Sequence, residues 1–260
     1  MKMTVFHVFF LVLVMWAVHS HGRAYQTESI IYNNTQLPYK ENMNAETVIN
    51  SKLKHFDYFY LVFRWPKSFC TSGTVSCWPQ IPDRFIVHGL WPQNTSGGLI
   101  DCKGAKNTAP FNFPKLEHYE DGHLVHKLND FWPNLIINKP NYNYWKQEFE
   151  KHGSCFFPTQ EQYFESTAWM VDQIPGLTPK LESEGICPGT SHLYKDLQQK
   201  IIKATGFIPK LECYQRNGSN RLFRIYFCFD KSKFLYNCSD SKLTPNNIKC
   251  GYGKVKIKLP

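Results

Sequence analysis

Trp145-Lys146-Gln147-Glu148-Phe149-Glu150-Lys151-His152-Gly153-Ser154-Cys155 reads as a short helix tethered at its end. Asn143 stands where a cap would start it, Gly153 can end it, and Cys155 can pin it. At helical spacing Glu148 and His152 meet on one face, with Lys151 beside them. Trp145 and Phe149 share much of that face and can press it against a core. A carboxylate, an ammonium and an imidazole brought together suit a negatively charged reacting group. An ordinary salt-bridged helix end has the same composition, so this segment alone does not decide.

A second segment bears on the choice: Phe85-Ile86-Val87-His88-Gly89-Leu90-Trp91-Pro92. Arg84 to Val87 reads as a short apolar strand that delivers His88 at its carboxyl end. Gly89 then permits a tight turn, and Trp91-Pro92 stiffens the exit. A lone histidine in such a run is commonly a satisfied core residue, but the turn favours exposure in a cleft. Two histidines from separate segments can act as general acid and general base, because an unperturbed pKa of about 6.5 suits both jobs. With Glu148 and Lys151 added, the set fits phosphoryl chemistry on RNA, which carries its own 2′-hydroxyl nucleophile. Lys151 can stabilise the added charge of the transition state, and Glu148 can hold a neighbour's ionisation state or hydrogen-bond the phosphoryl group. This chemistry needs no metal or other cofactor, and no oxygen or thiolate cage stands out. His118, His123 and His126 are spaced like ligands, but their charged surroundings and lack of a matching partner make them surface residues.

Outward from these segments, the pattern is α+β. Phe56 to Trp65 is aromatic and β-branched, a buried-strand signal that Pro66 ends. Helices are expected over Leu124–Trp132, Gln160–Val171 and His192–Ala204, and Pro175–Pro188 is turn-rich. Ile208–Tyr214 and Arg221–Phe229 read as strands joined by an Asn217-Gly218 turn. Lys254 to Leu259 alternates as a last strand with a basic face. Strands at both ends with helices between them point to an antiparallel central sheet with helices packed on it, in one disulfide-stapled domain.

The first 24 residues read as a signal peptide: Lys2, an apolar run from Val5 to Val18, then Gly22 and Ala24 at a cleavage site. Residues 25–52 read as a flexible leader, and 53–260 as the functional domain. No second long apolar run follows, so a secreted chain without a membrane anchor is expected. Nine cysteines with no Cys-x-x-Cys argue against a zinc ribbon, and suit four disulfides and one thiol in an oxidising compartment. Asn33, Asn94, Asn217 and Asn237 begin glycosylation sequons, so N-linked glycans are expected. Lys plus Arg is 30 against 21 Asp plus Glu, a net charge of +9 that attracts polyanions. The same charge also serves solubility alone.

The two quoted segments together resemble the active-site segments of the T2-type secreted acid ribonucleases. The resemblance takes in Asp57-Tyr58-Phe59 through Trp65-Pro66, the segment Phe131-Trp132-Pro133-Asn134 and the cysteine layout, over about residues 56 to 250. It implies cleavage of single-stranded RNA through a 2′,3′-cyclic phosphate by a monomer. It further implies His88 as proton donor, His152 as proton acceptor, and Glu148 and Lys151 as transition-state stabilisers. Trp91 would line the site, and Arg64, Asn134, Leu135, Tyr144 and Gln147 would contact substrate, Tyr144 by stacking. The implied disulfides are Cys70–Cys77, Cys102–Cys155, Cys213–Cys250 and Cys228–Cys238, leaving Cys187 free. Many members carry histidine where Gln147 stands and glutamine where Arg64 stands, which implies an altered pH optimum and base preference here. Basic, glycosylated members resemble the plant S-RNases of gametophytic self-incompatibility, which implies a pollen-side recognition partner. The alternatives are a defence or phosphate-scavenging ribonuclease, or a non-catalytic glycoprotein binding RNA or an acidic partner. The presence of all four of His88, Glu148, Lys151 and His152 argues against the last.

Overall fold

The aromatic run becomes β1, Tyr58–Arg64, buried along its whole length. Its side chains alternate between two apolar clusters. Phe59, Leu61 and Phe63 enter a large one shared with the helices, and Tyr58, Tyr60 and Val62 enter a smaller one on the other face. The computed structural model describes residues 54–73, 75–95, 100–105, 108–238, 250 and 256–260. The expected signal peptide, leader and Asn33 lie outside them.

Seven strands form one mostly antiparallel sheet: β1, β2 (Ile86–Gln93), β3 (Ser191–Leu193), β4 (Lys210–Arg216), β5 (Ser219–Phe229), β6 (Leu235–Tyr236) and β7 (Lys256–Lys258). The order is β2-β1-β5-β7-β3, with β4 and β6 also paired to β5. Only the β5–β7 pairing is parallel among the described strands. Asn217 and Gly218 both take positive φ, 50° and 70°, which makes the tight β4–β5 turn possible.

Seven α-helices accompany the sheet among the described residues: α1 (Pro66–Ser72), α2 (Phe113–Glu117), α3 (His123–Phe131), α4 (Asn141–His152), α5 (Gln160–Asp172), α6 (Leu177–Ser183) and α7 (Tyr194–Thr205). The sequence reading misses α1, α2 and α6, each too short for a clear 3.6-residue period. Pro66 does end β1, but it also opens α1, where a missing N–H costs nothing. The expected helix from His192 loses its first turn to β3, because His192 pairs with Ile257 of β7.

Two further expectations need correction. Helix α4 begins at Asn141 behind Pro140, so Asn143 lies inside it and caps nothing. Proline holds the preceding backbone extended, which puts the start there. The strand expected to stop at Val87 runs on through Gly89 and Pro92 to Gln93. Pro92 is tolerated because β2 is the last strand in the order and has no partner on its outer side. Gly89 therefore serves no turn.

Four disulfides form: Cys70–Cys77, Cys102–Cys155, Cys213–Cys250 and Cys228–Cys238. Cys187 is a free thiol. Asn217 and Asn237 are exposed, whereas Asn94 is half-buried. The amide oxygen of Asn237 accepts the Ile208 N–H at 2.9 Å. Among the described residues no helix is long and apolar enough to cross a membrane.

Candidate active site

A bulge in β2 makes the site. Val62 pairs with Gly89 and Phe63 with Val87, so His88 is an extra residue with no partner across the ladder. The bulge shifts the alternation: Val87 and Leu90 both enter the large core, and Trp91 turns to the opposite face. The His88 carbonyl, freed from the ladder, accepts the Trp132 indole N–H at 2.9 Å and the Tyr144 hydroxyl at 2.8 Å. Backbone and imidazole are thereby fixed together.

Helix α4 supplies the other half. Trp145 and Phe149 are buried in the large core and hold the helix against it. The Trp145 indole N–H donates to the Trp132 carbonyl at 2.8 Å. Glu148 and His152 are thereby turned toward β2, and Lys151 and Gln147 stay exposed at the rim. The Cys102–Cys155 disulfide fixes the end of the helix, helped by the Cys102 N–H on the Lys151 carbonyl at 2.8 Å.

Trp91 touches both imidazoles. His152 stacks on its ring with centroids 5.1 Å apart, and His88 meets it edge-on at 5.0 Å. The indole N–H donates to Glu148 Oε2 at 2.9 Å. The other carboxylate oxygen lies 3.7 Å from His88 Nε2. Gly89 makes this approach possible. A Cβ there would lie 2.1 Å from Glu148 Oε2 and 2.6 Å from Trp91 Nε1.

Burial sets the protonation states. It pushes Glu148 up to about 7, against the Trp91 hydrogen bond and the charges of Arg64, Lys151 and Arg224. Burial, followed by Lys151, lowers His152 to about 3. His88 is held well below the usual histidine range by burial, then by Arg224 and Arg64. Its 3.7 Å approach to Glu148 is too long for a hydrogen bond, and with the imidazole neutral it is not an ion pair.

Two arginines complete the floor. Arg64, 2 % exposed, lies between the rings of Phe69 and Tyr144, 4.4 and 4.7 Å from their centroids. Arg224 reaches from β5, where it donates to Glu212 at 2.9 Å and lies 5.7 Å from the Trp91 ring. Tyr226 donates to the same carboxylate oxygen. Burial works against the Arg224 charge, but Tyr226 and Glu212 outweigh it and leave its pKa raised. Six side chains among the described residues enclose a nitrogen that has no hydrogen-bond partner. Four of them are here: Arg64, His88, His152 and Arg224.

The sequence reading misses Arg224, Glu212 and Tyr226. A signal was present: Arg224 interrupts an otherwise apolar stretch of β5, as Arg64 does in β1. Asn134 is buried and spends its polar atoms on its own loop. Its amide donates to the carbonyls of Lys139 and Pro140 at 3.2 and 3.3 Å, and its oxygen accepts the Ile136 N–H at 3.1 Å. The Leu135 side chain is buried and its carbonyl accepts the Trp78 N–H at 3.0 Å. No group of three or more His, Cys, Asp or Glu side chains suited to a metal ion occurs among the described residues.

The model of the ribonuclease T2 family matches residues 56–238. The chain is 33 % identical over 214 residues to Ribonuclease S-7 of Nicotiana alata, covering 79 % of this chain and 89 % of that one. It is 31 % identical over 214 residues to Intracellular ribonuclease LX of Solanum lycopersicum, covering 79 % and 84 %. Among solved structures it is similar to Japanese pear S3-RNase, with a TM-score of 0.61 and 27 % identity over 78 % of this chain and 100 % of that one.

Proposed function

This chain belongs to the ribonuclease T2 family, and we propose that it cleaves single-stranded RNA by metal-free acid–base transfer of the phosphoryl group to the neighbouring 2′-oxygen. The observation that carries this reading is that His88, His152 and Glu148 all meet the one indole of Trp91. Two imidazoles gathered around one indole can serve the attacking and the departing oxygen of an in-line displacement.

His152 takes the proton of the 2′-hydroxyl, and the 2′-oxygen bonds to phosphorus. The bond from phosphorus to the 5′-oxygen breaks, and His88 gives its proton to that departing oxygen. The product ends in a 2′,3′-cyclic phosphate. His88 is neutral in the free site, so its proton arrives with the substrate. A phosphate anion beside the imidazole offsets burial and the arginine charges and raises its pKa. Lys151, at the rim, stabilises the charge added in the transition state, and Glu148 hydrogen-bonds the phosphoryl group or holds His88 in its charged form. Arg64, Asn134, Leu135, Tyr144 and Gln147 contribute to substrate binding. Tyr144 carries Arg64 on one ring face, so a base stacks on the other. Asn134 acts chiefly by shaping its loop.

The test is the product. Purified protein is expected to leave 2′,3′-cyclic phosphate termini on RNA and to spare a strand in which the 2′-hydroxyls are replaced by hydrogen. Cleavage of the 2′-deoxy strand at a comparable rate would contradict the mechanism.

The finer role we propose is that of a secreted, glycosylated pistil S-RNase, recognised by a pollen-side protein. Its support is the basic charge, the sequons and the similarity to Ribonuclease S-7. The second reading, a defence or phosphate-scavenging ribonuclease, rests on the chain being nearly as similar to Intracellular ribonuclease LX of Solanum lycopersicum, at 31 % identity, as to Ribonuclease S-7, at 33 %. Transcript restricted to the style is the expected result, and induction in leaf or root under phosphate starvation would favour the second reading.

A further inference from the structure

Arg64 and Arg224 occupy the same rung of the sheet. They are Cα partners across β1 and β5, so their side chains leave one face side by side. Arg64 makes no hydrogen bond or ion pair to any described residue, and its Nε is enclosed. Arg224 has one carboxylate partner, Glu212, and its own Nε is enclosed without a partner. A guanidinium carries five donors, and burying them without acceptors is unfavourable, as is placing two like charges opposite each other. A purely structural ion pair would explain the Arg224–Glu212 contact. It would leave Arg64 uncompensated.

Each arginine stands one ring away from an imidazole. Tyr144 lies between Arg64 and His88, with ring centroids 6.1 Å apart for the latter pair. Trp91 contacts both Arg224 and His152. The pair is therefore displaced from the place where bonds change. Planar forks that are anchored from behind suit bidentate recognition of phosphate.

We propose that Arg64 and Arg224 form a paired-guanidinium seat for the RNA phosphate next to the scissile one, with Arg224 aimed by Glu212 and Tyr226. The inference rests on the RNA reading above and adds a substrate-length preference to it. A chain with a second phosphate engages the seat; a dinucleoside monophosphate does not.

The experiment compares a trinucleotide carrying two phosphates with a dinucleoside monophosphate. Arg224→Gln is expected to lower kcat/KM for the trinucleotide about tenfold to a hundredfold, mainly through KM, the range for losing a charged hydrogen bond. For the dinucleoside monophosphate the KM should change far less, and any change in kcat should appear as a shifted pH profile, because Arg224 also lowers the His88 pKa. Arg224→Lys should recover part of the difference, and it carries the comparison alone if the glutamine variant does not fold. The salt dependence of long-RNA binding should weaken by roughly 0.7 in log–log slope, one phosphate on a single strand. Equal loss on both substrates, or loss on neither, overturns the seat. Binding of the 2′-deoxy trinucleotide keeps the two readings apart. An Arg224-dependent preference for it over the 2′-deoxy dinucleotide, in a protein that cleaves no RNA, would refute the cleavage and keep the seat.

Discussion

The two faces of β1 obey different rules. On one, Phe59, Leu61 and Phe63 join a large apolar cluster with Trp145, Phe149 and Phe164 from the helices. On the other, Tyr58, Tyr60 and Val62 lead to Arg64, a buried cation whose Nε has no hydrogen-bond partner among the described residues. The first face is what a fold requires. The second buries polar atoms that the fold leaves unpaired, which is costly unless function uses them. A single extra residue, His88 in the β2 bulge, separates the two by turning His88, Gly89 and Trp91 to the second face.

Substitutions on each face should therefore fail in different ways. Phe149→Ala removes a fully buried ring from the first face, and should lower stability by about 3–5 kcal/mol in a urea titration. His88→Ala and His152→Ala should lower the RNA cleavage rate by about a hundredfold or more. Their thermal midpoints should fall much less than that of Phe149→Ala, because the cost of the cavity is offset by removing a buried nitrogen with no partner. A large fall in both midpoints would show that the second face is structural after all.

Two glycines give the same contrast at smaller amplitude. Gly153 caps the end of α4, and a Cβ there would lie 2.5 Å from Phe149 and 2.9 Å from Tyr163. Gly153→Ala should cost about 1–3 kcal/mol of stability by overpacking the first face, as read by urea titration. A Cβ on Gly89 meets the Glu148 carboxylate and the Trp91 indole instead. Gly89→Ala should lower the cleavage rate by about tenfold or more, the scale of one displaced transition-state contact, with a smaller shift in midpoint. If Gly153→Ala lost activity and kept its stability, the division would fail.

The contrast also has a pH dependence. His152 folds with a pKa near 3, and His88 with one well below 6.5, both lower than in the unfolded chain. From pH 6.5 down toward 3 the unfolded chain binds protons that the folded one does not, so stability falls with pH. Glu148 acts oppositely. Its folded pKa of about 7 exceeds the ordinary 4.5, so the folded state gains stability as pH falls through that window. Two histidines outweigh one carboxylate. His152→Gln should flatten the loss of thermal midpoint between pH 6.5 and 3; an unchanged slope would place His152 in contact with water.

Much of this was legible in the sequence. The α+β class, the longer strands and helices and the two histidine segments follow from periodicity and aromatic runs, and the helical spacing of Glu148 and His152 places them on one face. What stayed hidden depends on cross-strand register. Nothing local in Val87-His88-Gly89 marks a bulge, because the extra residue exists only relative to β1. The same holds for Arg224, whose neighbour Arg64 lies far away in sequence but opposite it in the sheet. Gly89 misleads for a related reason. Glycine signals a turn as readily as a close approach, and only the fold shows that the approaching group is Glu148.

The most direct test of the second face as an acid–base site for RNA is hydrolysis of single-stranded RNA by purified protein in excess chelator, beside His88→Ala and His152→Ala. The account predicts full activity of the parent in chelator and a rate at least about a hundredfold lower in each variant. Cleavage that disappears with chelator, or that survives undiminished in either variant, would contradict it.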